Sequence, residues 1–109
     1  MKFASFFGAA PVISAGQARE LLKAGAVLLD VRESVEWNQG HAPEAIHVPM
    51  SRVSQVEALI DKDAQVLVLC RSGHRAKLVT SHLRSLGYDA VTISGGMSAW
   101  TSPNGPTTT

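Results

Sequence analysis

A chain of 109 residues with 45% hydrophobic and 17% charged content is long enough for one domain with a packed core and too short for two. Its formal charge of +1, with no block of like charges, leaves out the clustered Lys and Arg that nucleic acid or an anionic membrane surface requires. A single cysteine rules out an internal disulfide framework, and no apolar run approaches the roughly 18 residues of a membrane helix.

The opening MKFASFFGAAP reads as a lead-in over residues 1–11. One Lys, a short apolar stretch and Ala-Ala give it only the outline of a signal peptide, so the expected location is cytoplasmic, with export as the alternative. A domain is expected over 12–101. Val12-Ile13 starts a strand, and a helix follows in which Ser14 and Gln17 form a capping box and Gly25 supplies the stop. Ala26 to Val31 is a near-continuous apolar run, as in a strand buried on both faces. The polar stretch that follows has room for one helical turn before Gly40, and Ala45 to Pro49 is a short strand.

From Ser51 a second helix is predicted, with Ser54 and Glu57 as its capping box and Asp61-Lys62-Asp63 closing it. Gln65 to Cys70 is another apolar strand. Ala76, Val79, Leu83 and Leu86 recur at helical spacing from a start near Arg75 or Ala76, and Gly87 ends that helix. Asp89 to Ile93 is the last strand, followed by Gly95-Gly96 and a short helical MSAW. Residues 102–109, rich in Pro, Gly and Thr, read as a flexible tail. Strands alternating with helices and apolar throughout predict an α/β fold of three layers, α/β/α, around a mostly parallel sheet of about five strands. Ligands of such sheets sit at the carboxyl ends of strands, and the only cysteine stands at one.

Cys70 closes its strand in VLVLCRSGHRAKL, with a helix N-terminus pointing back at it. The first N–H groups of that helix lack intrahelical acceptors and, with the macrodipole, attract an anion. Ser72 and Gly73 let the loop curl into a nest of amides, and Arg71 and Arg75 add positive charge. Each of these favours a thiolate, the form in which cysteine is a nucleophile. The bland alternative, a small hydrophobe ending a core strand, does not explain the Gly, Ser and two Arg that follow.

The loop CRSGHR resembles the active-site loop of rhodanese-type sulfurtransferases, in which a cysteine carries sulfur as a persulfide. LLDVRESVEWNQGHAPEAIHVP resembles that family's first signature and LGYDAVTISGGMSAW its closing segment, in order from about Ile13 to Trp100. The resemblance implies a single-domain sulfurtransferase with Cys70 as nucleophile and Arg71, Ser72, Gly73, His74 and Arg75 around the substrate. Asp30 and Arg32 would support the loop from behind. A small anionic donor such as thiosulfate and a thiol or cyanide acceptor are expected, with an acceptor protein as a further option. A monomer is expected, with no metal or organic cofactor, nucleic acid or membrane partner. Two departures stand out: Glu44 where the family usually has Gly, and Ala76 in place of a frequent Ser or Thr.

Two rival readings remain. Cysteine phosphatases place five residues between Cys and Arg, whereas four separate Cys70 from Arg75, a shorter ring of amides suited to a sulfur atom; arsenate reductase belongs to the same alternative. A redox-sensing or partner-binding module would keep the loop without catalysis. Among the other polar residues, Glu33 and Glu36 read as solvated. The four histidines lack short ligand spacing, His41 reads as fixing its turn, and Trp37 and Trp100 as packing.

Overall fold

The computed structural model describes residues 11–101 together with 107 and 108; the lead-in before Pro11 and the remainder of the tail lie outside the described residues. In chain order the elements are β1 (Val12–Ile13), α1 (Ala15–Lys23), β2 (Val27–Asp30), α2 (Ser34–Asn38), β3 (Ile46–His47), a 3-10 segment (Met50–Gln55), α3 (Val56–Leu59), β4 (Gln65–Leu69), α4 (His74–Ser85), β5 (Asp89–Ile93) and α5 (Gly96–Thr101). The five strands form one sheet in the order β1-β5-β4-β2-β3, and every pairing is parallel.

Alternation along the strands divides the core in two. Leu29, Val66, Val68 and Ala90 face Val56 of α3 and Val79 and Leu83 of α4. Leu28, Leu67, Leu69, Val91 and Ile93 face Ala15 and Ala18 of α1 and Trp100 of α5. Both faces of the sheet are therefore covered, which is why β2 and β4 carry apolar runs instead of an alternating pattern. Each fully buried Leu or Val among them contributes about 1.5–3 kcal/mol relative to exposure. One polar pair interrupts the apolar contact under α4: Thr92 Oγ1 donates to Thr80 Oγ1 at 2.8 Å. The buried Tyr88 hydroxyl donates to the Ile60 carbonyl at 2.8 Å, and burial pushes that phenol up from its ordinary value.

Local chemistry explains most boundaries. Ser14 caps α1 with the capping box read from the sequence, Gln17 N–H donating to Ser14 Oγ at 3.1 Å and Ser14 N–H to Gln17 Oε1 at 2.9 Å. The helix expected from Ser51 is different. The segment Met50–Gln55 is 3-10, with non-helical backbone at Arg52, and the α-helical part is only Val56–Leu59. No Ser54 to Glu57 capping box forms, because the chain up to Met50 is still tied to the sheet, Val48 N–H donating to the Asp30 carbonyl and Met50 N–H to the Val31 carbonyl, each at 3.0 Å. α4 begins at His74, ahead of the expected Arg75 or Ala76, since Gly73 at φ +102 is its cap.

The chain steps from β2 outwards to β3 and then returns to the other side of β2 for β4. That reversal sets the carboxyl ends of β2 and β4 side by side, the place where open α/β sheets bind ligands. Asp30 ends the one strand and Cys70 follows the other.

Candidate active site

Cys70 is fully buried beneath the loop that it opens. Only Arg71, Ser72 and Gly73 separate it from α4, and the Gly73 N–H donates to the cysteine Sγ at 2.9 Å. A left-handed residue at the cap turns this amide inwards, a conformation that glycine reaches without the penalty a Cβ brings. Behind Cys70, Ala76 is fully buried in the same cluster, so the site of this departure is filled by a methyl group. The other departure is equally mild: Glu44 is exposed in a turn closed by Ala45 N–H to the Ala42 carbonyl at 3.1 Å. No non-glycine among the described residues has a positive φ, so that turn does not need Gly.

The start of α5 closes the loop from the far side. Met97 N–H is shared between the Cys70 and Arg71 carbonyls at 2.8 and 3.1 Å. The approach is so close that a Cβ on Gly96 would strike the Cys70 carbonyl oxygen and lie 2.5 Å from the Arg71 carbonyl carbon.

Asp30 and Arg32 form a buried ion pair, with Nη2 donating to Oδ2 at 2.8 Å and Nε to both carboxylate oxygens at 3.0 Å. The same guanidinium reaches the carbonyls of Glu36 at 3.3 Å and Gly40 at 2.8 Å. It thus holds α2 and the turn after it against the end of β2. Trp37 of α2 is stacked on His41, with centroids 3.4 Å apart, and on His47 at 4.4 Å. Two imidazoles that close to one ring cannot share a face, so Trp37 lies between them. Nδ1–H of His41 donates to the Trp37 carbonyl at 2.9 Å and Nε2–H of His47 to the Arg32 carbonyl at 2.7 Å. His41 fixes its turn in this way.

Glu36 is not solvated as expected. Arg75 donates to it through both arms, Nη1 to Oε1 at 2.7 Å and Nη2 to Oε2 at 2.8 Å. Those bonds hold the Glu36 carboxyl at about 2, well below its ordinary value, and raise Arg75 above its own. A hint was available: a guanidinium in the first turn of a helix opposes the macrodipole and calls for a nearby carboxylate. Arg71 and His74 are exposed and make no side-chain hydrogen bond or ion pair among the described residues.

Two clefts flank the loop. One, of about 610 Å³, is lined by Arg71, Arg32, Glu36, Gln39, Ser98 and Thr101, with Thr107 at its edge. Thr108, next to Thr107, pairs with His41 in an antiparallel bridge. The other, of about 250 Å³, is lined by Ser72, His74, Lys77 and Ser94. Among the described residues no group of His, Cys, Asp and Glu could hold a metal ion, and no helix is long and apolar enough to cross a membrane.

The model of the rhodanese-like domain matches residues 14–103. YtwF of Bacillus subtilis (strain 168), provisionally named a sulfurtransferase, is 38% identical over 73 residues, which cover 67% of this chain and 71% of that protein. The adenylyltransferase and sulfurtransferase uba4 of Ogataea parapolymorpha is 32% identical over 84 residues, covering 72% of this chain but 22% of its own length. A rhodanese-related protein from Thermoplasma volcanium superposes with a TM-score of 0.82 at 28% identity, over 90% of this chain and 97% of that one. A rhodanese-like domain protein from Staphylococcus aureus gives 0.78 at 27% identity, over 85% and 93%. A buried cysteine at the switch point of a parallel sheet, and a family model matched along nearly the whole described chain, lead to one conclusion: this chain belongs to the rhodanese-like domain family.

Proposed function

We propose that this protein is a sulfurtransferase in which Cys70 takes a sulfane sulfur from an anionic donor such as thiosulfate and passes it to cyanide or a cellular thiol. The thiolate attacks the outer sulfur of thiosulfate; a new S–S bond forms, the donor S–S bond breaks, and sulfite leaves with the electron pair. A thiophilic acceptor then attacks the outer sulfur of the persulfide and Cys70 departs as thiolate. This is ping-pong covalent catalysis, and it needs neither metal nor organic cofactor.

The observation that carries the reading is the Gly73 N–H aimed at Sγ at 2.9 Å, at the N-terminus of a 12-residue helix, where anionic sulfur is favoured. Exposed Arg71 on the larger cleft suits an anionic donor. Phosphoryl transfer is disfavoured because the loop arginine that a phosphoryl group would need is engaged by Glu36.

Reduced protein incubated with thiosulfate should gain the mass of one sulfur atom, lose it on addition of cyanide, and turn over the two in steady state without hydrolysing aryl phosphates. A mass unchanged by excess thiosulfate in folded protein would remove the transfer mechanism and favour a sensing or docking module. Aryl-phosphate hydrolysis would favour the phosphatase.

A further inference from the structure

We propose that the Glu36–Arg75 pair is a positioning device for the cysteine loop: Glu36 turns Arg75 towards α2, out of donor binding, and so fixes the first turn of α4 beneath Cys70. The inference deepens the sulfur-transfer reading and rests on it for its kinetic consequences, but not for its geometric ones.

Arg75 is the second residue of α4, two positions after the amide that reaches the sulfur. Both of its terminal nitrogens are taken by one carboxylate, at 2.7 and 2.8 Å, in the parallel geometry that makes such pairs strong and directional. With both arms occupied, the fork cannot also grip an anionic donor. The carboxylate is itself fixed, since Glu36 Oε1 accepts the Glu33 N–H at 3.0 Å. The helix that carries it is anchored through Arg32 to the fully buried Asp30. An unbroken series of polar contacts therefore runs from the end of β2 to the first turn of α4. Arg71, exposed and without a side-chain partner among the described residues, remains the loop guanidinium available to meet the donor.

The test uses Glu36→Gln, Arg75→Gln and the double variant, with Arg75→Lys to keep the charge while losing one arm, each checked for folding by circular dichroism and melting. Cys70 is the only thiol and is enclosed, so its alkylation by iodoacetamide at fixed pH reports how tightly the loop is held. Each Gln variant is expected to raise the alkylation rate about tenfold, within the coupling range of contacting pairs, and the double variant no further than either alone. Arg75→Lys should fall between. With thiosulfate and cyanide, each Gln variant should lower kcat while leaving KM for thiosulfate unraised.

Unchanged alkylation in the Gln variants, or effects that add in the double variant, would overturn the proposal. So would a KM that rises in Arg75→Gln while Glu36→Gln keeps both constants, the pattern of a donor-binding arginine. If wild type takes up no sulfur, the functional reading fails on its own and the alkylation pattern still decides the positioning role.

Discussion

Replacing Gly96 by Ala is expected to cost more than the same change at a left-handed glycine with open surroundings. Gly96 holds φ +55, where an alanine costs about 1–2 kcal/mol, offset by about 0.4–1 kcal/mol from stiffening of the unfolded chain. Gly87, at φ +99 with nothing within 4 Å of a Cβ, shares both contributions and serves as reference. At Gly96 the new methyl would also lie 2.5 Å from the Arg71 carbonyl. That neighbour is backbone and cannot swing aside. The start of α5 must lift, and the Met97 N–H bond to the Cys70 carbonyl at 2.8 Å is the one it loses. A buried acceptor left unpaired costs about 1–3 kcal/mol. Urea unfolding should therefore show Gly96→Ala less stable than Gly87→Ala by about 2–3 kcal/mol, with melting lower by roughly 10 °C. Alkylation of Cys70 should be faster only in Gly96→Ala. Equal destabilisation of the two variants would refute the argument that α5 closes the loop by backbone contact.

Asp30→Asn should destabilise the fold by about 3–5 kcal/mol, because it leaves the Arg32 guanidinium buried without its counter-charge; a shift in urea midpoint worth less than about 1 kcal/mol would contradict that. The Glu36–Arg75 pair should give the acid limb of stability a specific component. The folded carboxyl is held at about 2, below its ordinary 4.5, so its contribution is complete above pH 4.5 and is lost as pH falls through about 2. Full conversion would give about 3 kcal/mol; with side chains 23% and 28% exposed, solvent screening reduces this to about 1–2 kcal/mol. Glu36→Gln should flatten the stability curve between those pH values relative to wild type, and identical slopes would mean the pair does not form in solution.

The layers of the fold were legible because β2 and β4 carry apolar residues on both faces, a pattern that only a covered parallel sheet requires. Cys70 was legible because its neighbours make sense only as a loop that turns amides inwards. The 3-10 segment was not, since Ser54 and Glu57 have capping-box spacing and only the tie of Met50 to the Val31 carbonyl, 19 residues earlier in the chain, overrides it. Glu36 escaped for the same kind of reason. Its local pattern is that of an exposed helical acid, and its partner lies 39 residues away; nothing in a window of sequence measures such a distance. The role of α5 was hidden as well: Gly95-Gly96 reads only as the link from the last strand to a short helix, whereas the structure uses Gly96 for backbone contact with the cysteine loop.

The sheet order has a bearing on how the protein is made. β5, the last strand, lies between β1 and β4, so the first strand has no neighbour until Asp89–Ile93 arrives. The cysteine loop likewise lacks the Met97 amide until α5 follows. Most of these contacts are remote in sequence, the condition under which folding is slow. During synthesis the thiol of Cys70 thus stands on an unfinished sheet, and the loop around it is completed only once Met97 has left the ribosome.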